Sequence, residues 1–119
     1  MKKTLIIGAS TNPARYAHSA ALRLKRHGHD IVQLGLRQGE VAGEPIYTEK
    51  EEFEAVDTVT LYVGPRHQPE YYSYVISLKP KRVIFNPGTE NTAFSELLVK
   101  NNIEPVRACT LVMLSTGQY

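Results

Sequence analysis

The sequence predicts a three-layer α/β fold around a mostly parallel sheet of five strands. Short apolar runs, of the kind that form strands buried on both faces, alternate along the chain with amphipathic stretches at helical spacing. No repeat, low-complexity segment or Pro/Gly/Ser-rich linker interrupts this alternation, so we expect residues 1–119 to form one domain. Alternating strands and helices are typical of βαβ units, whose strands run parallel.

The predicted strands are short runs rich in Ile, Val, Leu and Thr. They cover residues 4–7, 31–34, 58–63, 82–85 and 105–107. The last run begins with Pro105, whose missing N–H is tolerated at the first position of a strand. Residues 35–47, with three glycines and Pro45, are predicted to form a loop.

The predicted helices are recognised by apolar spacing and by end signals. Residues 17–27 place Ala17, Ala20, Ala21 and Leu24 at helical spacing, and Gly28 follows at the position where helices commonly end. A short helix is predicted over residues 49–55. Pro69 suits an early position of a third helix, and a fourth is predicted over residues 91–100.

Composition and charge exclude several classes of protein. The 14 Lys and Arg residues nearly balance the 12 Asp and Glu residues, and a formal net charge of +2 does not indicate a nucleic-acid binder. No apolar run approaches the roughly eighteen residues of a membrane span, and no secretory signal pattern follows Met1. A single cysteine, Cys109, cannot form an internal disulfide, which fits a reducing compartment. We therefore expect a cytoplasmic protein that binds neither nucleic acid nor membrane.

The loop after the first predicted strand is the first place to look for a ligand, because parallel α/β sheets bind ligands beyond the carboxyl ends of their strands. It has one glycine, Gly8, rather than the three of a G-x-G-x-x-G dinucleotide motif. Ala9 and Ser10 are small enough for backbone amides to approach a phosphate. Ser10 and Asn12 are good helix caps, and a helix N-terminus favours an anion. A well-capped turn without a ligand is the alternative interpretation.

The loop after the second predicted strand points to a phosphate on a ribose. It carries Gly35 and Arg37 where an NAD site has an acidic residue that accepts hydrogen bonds from the ribose. A cation there suits NADP, with its phosphate on the 2′ oxygen, or coenzyme A, with its phosphate on the 3′ oxygen. Arg15 and Arg66 fall in other strand-end loops, and three guanidinium groups near one crevice suit a ligand with several phosphates. Each arginine is alternatively a solvated surface charge.

Several of these positions together make the chain resemble a known family. The positions are Gly8-Ala9-Ser10, Pro13, Arg15, Gly28 and Val41-Ala42-Gly43. In this pattern the sequence resembles the small stand-alone CoA-binding proteins, whose domain is similar to the CoA-binding domain of the succinyl-CoA synthetase alpha subunit. The resemblance implies a Rossmann-like fold over nearly the whole chain and binding of coenzyme A by the loops after the first three strands.

The resemblance also implies roles for individual residues. The phosphate-facing loop would comprise Gly8, Ser10, Pro13 and Arg15, and Arg37 would meet the nucleotide phosphates. The adenine or pantetheine side of the ligand would be lined by Val63, Gly64, Pro65 and Arg66. This chain departs from the family at Gly35-Leu36, where an Asn-Pro pair is usual, and at Thr110, where a proline usually follows the cysteine.

No catalytic or metal site is predicted. A reactive cysteine needs a nearby base, and the apolar residues 111–114 after Cys109 favour a buried, inert thiol. His27 and His29 lack the further spaced ligands that a metal needs.

We therefore expect non-catalytic binding of coenzyme A or an acyl-CoA. One alternative is an enzyme, either a small NADP-dependent reductase or a thioester-handling protein that uses Cys109. Another is a fold without a ligand that acts through a protein partner, with residues 111–114 covering a homodimer surface, because extended apolar patches need a partner.

Overall fold

The computed structural model describes residues 1–119 and contains seven strands and four α-helices. The strands are β1 (Thr4–Ala9), β2 (Ile31–Gly35), β3 (Gly39–Val41), β4 (Glu44–Tyr47), β5 (Thr58–Leu61), β6 (Arg82–Phe85) and β7 (Glu104–Arg107). The helices are α1 (Tyr16–Arg26), α2 (Tyr72–Leu78), α3 (Thr92–Lys100) and α4 (Thr110–Ser115). Two short 3-10 turns, Pro65–His67 and Pro69–Tyr71, precede α2.

The strands form one sheet in the order β3-β4-β2-β1-β5-β6-β7, and every neighbouring pair except β3–β4 is parallel. The predicted α/β class with a mostly parallel sheet is therefore confirmed. After β1 the chain adds strands on one side, and from β5 onward it adds them on the other. The order thus reverses between β1 and β5, the place where such sheets leave a crevice at their carboxyl edge.

The predicted count of five strands is wrong, because the supposed loop over residues 35–47 contains the β3–β4 hairpin. Its turn residues Ala42 and Gly43 have φ of 57° and 78°, the left-handed pair that closes a tight hairpin. The side-chain amide of Gln33, in β2, donates to Val41 O at 3.2 Å and to Glu44 O at 3.1 Å. A side chain from another strand therefore holds the hairpin, which sequence periodicity does not reveal.

The helix predicted over residues 49–55 is absent. Side chains from elsewhere bind the carbonyls that a helix would use: Tyr74 donates its hydroxyl to Glu51 O at 2.6 Å, and Lys3 donates its ammonium to Glu54 O at 2.6 Å. Ala55 is also in the left-handed region, with φ of 57°. The segment is thus an ordered, irregular connection between β4 and β5.

Two apolar cores lie on opposite faces of the sheet, as a three-layer fold requires. Because strand side chains alternate, Leu5 and Ile7 of β1 join the core beneath α2 and α3, whereas Ile6 joins the core beneath α1 and α4.

No helix is both long and apolar enough to cross a membrane. In the apolar stretch 111–114, Leu114 is buried in the second core while Val112 is 56% exposed, so packing uses part of the predicted dimer surface.

A buried amide ties the end of β6 to β5 and to α4. The Asn86 side chain donates to Thr60 Oγ1 at 2.7 Å and to Leu61 O at 2.8 Å, and its oxygen accepts from Thr110 N at 2.9 Å. The hydroxyls of Thr60 and Thr110 are themselves 2.8 Å apart. Asn86 is only 3% exposed, so water cannot replace these partners if the amide is removed.

We expect Asn86→Ala to lower the free energy of unfolding by about 3 kcal/mol, because it removes three hydrogen bonds and leaves buried groups unpaired. Urea unfolding followed by circular dichroism measures this. The control is Asn101→Ala, which removes one exposed hydrogen bond to Leu97 O and should cost less than about 0.5 kcal/mol. Equal losses in the two variants would contradict the proposed role of Asn86.

Candidate binding cleft

A cleft of about 1100 Å³ opens at the carboxyl edge of the sheet, where the strand order reverses. The loops that follow β1, β2, β5 and β6 form its walls. Nine of the twelve predicted site residues line it: Gly8, Ala9, Ser10, Asn12, Arg15, Gly35, Arg37, Val63 and Gly64.

Pro13, Pro65 and Arg66 are predicted site residues that do not line the cleft. All three are exposed, and Pro65 and Arg66 belong to a 3-10 turn. Their predicted contacts with a ligand gain no support from the geometry.

The floor of the cleft depends on close backbone approach at two glycines. Gly8 has φ of 95°, and a Cβ at this position would lie 2.7 Å from Tyr62 O. A Cβ at Gly35 would lie 2.4 Å from Ala9 O. Both distances are shorter than real Cβ contacts allow, so the ends of β1, β2 and β5 meet as they do because these side chains are absent.

The loop after β1 is bent by its own polar side chains. Ser10 Oγ accepts from Asn12 N at 3.0 Å, and Asn12 Oδ1 accepts from Ala14 N at 3.0 Å. Asn12 O then accepts from Arg15 N at 3.0 Å, and α1 begins at Tyr16. No side chain caps the helix, and its first turn contains no acidic residue. The positive end of α1 therefore faces the cleft at Tyr16 and Ala17 without an intramolecular anion.

We call the side of the cleft formed by residues 8–17 and 35–37 the arginine end, because Arg15 and Arg37 lie there. Both arginines are exposed, and neither is in a salt bridge. Two large apolar groups flank them: Tyr16 is 74% exposed and Leu36 is 90% exposed.

The opposite side, which we call the distal end, is lined by His67, Glu70, Tyr71 and residues 87–89. Gln68 joins its two loops, because its amide donates to Val63 O at 2.8 Å and to Thr89 O at 2.7 Å. Sequence reasoning missed Glu70 and Tyr71 as lining residues, since they belong to the 3-10 turn Pro69–Tyr71 where a regular helix was expected.

Tyr62 lines the cleft between the two ends and was also missed, because the third strand was predicted to continue to residue 63 but ends at Leu61. Its buried hydroxyl has no hydrogen-bond partner, and the neighbouring hydroxyls of Thr60 and Thr110 bond to each other. Burial raises the pKa of the Tyr62 phenol to about 12, and the nearby Thr110 and Thr60 offset only part of this effect.

Cys109 does not line the cleft. It is half-buried at the residue before α4, and no group of three or more His, Cys, Asp or Glu side chains is arranged to hold a metal ion.

Comparison with known proteins agrees with this architecture. A family model described as a CoA binding domain matches residues 2–115. The chain belongs to this CoA-binding domain family. The resemblance predicted from the motifs is therefore confirmed at the level of family.

Solved structures of similar proteins share the fold. The crystal structure of an uncharacterized protein is 57% identical, with a TM-score of 0.98 over 100% of this chain and 98% of the other. A hypothetical protein from Pyrococcus horikoshii OT3 is 26% identical, with a TM-score of 0.88 over 97% of this chain and 82% of the other. A Thermus thermophilus structure, cell-free ID.343, is 22% identical, with a TM-score of 0.88 over 99% and 90% of the two chains. A search of curated proteins gives no match.

In this CoA-binding domain, we expect Gly8→Ala to lower the free energy of unfolding by about 2–4 kcal/mol. The new Cβ meets the backbone of Tyr62, and φ of 95° is unfavourable for any L side chain. The control is Gly64→Ala, at φ of −62° and ψ of 158° with nothing within 4 Å of the new Cβ. It should change the stability by less than about 1 kcal/mol. Urea unfolding of both variants tests the prediction, and similar losses would contradict it.

We also expect stability to fall as the pH rises from about 10 towards 12. The raised pKa of Tyr62 means that the unfolded chain releases this proton before the folded chain does, so alkaline pH favours unfolding. Tyr62→Phe should reduce this loss, while Tyr16→Phe, at an exposed position, should leave it unchanged. Thermal unfolding across this pH range provides the measurement. Part of the alkaline loss of stability should remain in Tyr62→Phe, because the pKa is also raised at Tyr71, Tyr74 and Tyr119. Identical alkaline profiles for wild type and Tyr62→Phe would refute the assignment.

Proposed function

We propose that this protein binds coenzyme A, or an acyl derivative of it, in the cleft without catalysing a reaction. The observation that carries the proposal is the separation of charge along the cleft. The arginine end has two unpaired guanidinium groups and the positive end of α1, and Glu70, at the distal end, is the one carboxylate among the lining residues. The arginine end therefore favours a ligand with several phosphate charges.

The parts of coenzyme A match particular parts of the cleft. The backbone amides at the start of α1 would hold the pyrophosphate, with Arg15 beside it. Arg37 would bind the phosphate on the 3′ oxygen of the ribose. The exposed surfaces of Tyr16 and Leu36 would pack against the adenine, which needs an apolar or aromatic contact. The pantetheine arm would then run past Tyr62 and Gly64 towards the distal end.

A cofactor with a phosphate on the ribose 2′ oxygen is the second candidate, because Arg37 suits either phosphate position. NADP also carries a nicotinamide, and its use by an enzyme needs a group that handles the second substrate. Cys109 lies outside the cleft, which favours the binding role over a thioester reaction at this thiol.

We expect wild-type protein to bind coenzyme A at least about tenfold more tightly than dephospho-CoA in isothermal titration calorimetry, because Arg37 meets the additional phosphate. Arg37→Gln should bring the two affinities to within about twofold. The matched control is Arg66→Gln, an exposed arginine outside the cleft, which should retain the wild-type ratio.

Three results would count against this function. Equal binding of coenzyme A and dephospho-CoA by wild type would remove the role of Arg37. Tighter binding of NADP than of coenzyme A would favour the second candidate, and no binding of any of the three ligands would refute the proposal.

A further inference from the structure

We infer that the distal end selects free coenzyme A or thioesters of uncharged acids, and that Glu70 excludes acyl groups that end in a carboxylate. This inference rests on the proposed function, because it assumes that the phosphates of the ligand occupy the arginine end. The acyl group is at the opposite extremity of coenzyme A from its nucleotide, so it would reach the residues of the distal end.

Glu70 places a carboxylate in the distal end of the cleft, and this carboxylate is only weakly neutralised. Its nearest cation is Lys50, whose Nζ is 3.7 Å from Glu70 Oε2. This is a long contact between two partly exposed side chains, and the ammonium also lies 5.2 Å from the ring centre of Tyr71. Exposed pairs of this kind contribute little, so Lys50 neutralises the negative charge of Glu70 only weakly.

A second carboxylate already occupies the backbone donor that an anionic group would use. Gly88 has φ of 92°, and its amide donates to Glu90 Oε1 at 2.9 Å. The amide and the hydroxyl of Thr89 both donate to Asn86 O, at 2.9 Å and 2.8 Å. The loop after β6 therefore offers a ligand carboxylate no free donor at these two residues and adds a negative charge of its own.

The remaining surface of the distal end suits an uncharged group. Gly64 has open space where a Cβ would stand, and Tyr71 and Pro87 line the same region. The imidazole of His67 is the one basic group among the residues that line this end. Arg66, in the same 3-10 turn, does not line the cleft. A neutral acyl chain meets no like charge there, whereas a carboxylate would face Glu70 in the lining and Glu90 just outside it.

Butyryl-CoA and succinyl-CoA provide a matched test, because both acyl groups contain four carbons and only the second ends in a carboxylate. Titration calorimetry of wild type should give an affinity for succinyl-CoA about tenfold weaker than for butyryl-CoA. Glu70→Gln should reduce this difference to about threefold or less. Combining it with Glu90→Gln, which retains an oxygen for the Gly88 amide, should reduce the difference further. The control Glu96→Gln, an exposed change on α3, should retain the wild-type difference.

The outcomes separate this inference from the proposed function. Equal affinity of wild type for the two thioesters, or a difference that survives in the Glu70→Gln and Glu90→Gln double variant, would overturn the role of Glu70 while leaving coenzyme A binding intact. Failure of coenzyme A and both thioesters to bind wild type would overturn the proposed function and this inference together.

Discussion

The close approach of three backbone segments at the carboxyl edge of the sheet is the constraint on which the cleft depends. Gly8 and Gly35 permit it, because a Cβ at either position would collide with a carbonyl oxygen of the neighbouring segment. With these strand ends in contact, the chain enters α1 after a loop that its own Ser10 and Asn12 side chains stabilise. The helix amides and the two arginines then reach the same space. Backbone packing therefore sets the positions of the charges.

The two ends of the cleft differ in whether their hydrogen-bond donors are already paired, and this difference makes the cleft polar along its length. The arginine end relies on unpaired donors: amides at the start of α1 and guanidinium groups without acidic partners. At the distal end, hydrogen-bond donors are already paired with protein acceptors, as at Gln68, Gly88 and Thr89. Under the proposed function, a ligand with a charged and an uncharged extremity would therefore have one favourable orientation. Pre-formed polarity of this kind contributes to specificity without requiring a large change of shape on binding.

The sequence predicts the parts of this structure that depend on local pattern. The runs at β1, β2 and β6 are almost wholly buried, so their apolar composition is evident. The loops that follow them contribute ten of the 21 lining residues. The β3–β4 hairpin could not be predicted, because Gly39, Gly43 and Pro45 are turn formers and the hairpin is held by Gln33 from another strand. Likewise, the glutamate-rich segment before β5 is fixed by Tyr74 and Lys3 rather than by helical hydrogen bonds. Structure that depends on side chains distant in the sequence cannot be predicted from the local pattern of apolar residues.

The contact between Thr60 and Thr110 spans 50 residues of sequence and completes the support beneath β5 and β6. Parallel strands separated by long connections form slowly, because distant segments must be brought together before any of their contacts is gained. During synthesis, a nascent chain that has not yet reached residue 110 lacks the Thr110 amide that donates to Asn86 Oδ1, and it exposes the apolar face that α4 later covers. The loop after β6 therefore gains its full set of Asn86 hydrogen bonds only once residue 110 is in place. Until then the apolar face of the sheet stays uncovered, and exposed apolar surface of this kind promotes misassembly during folding.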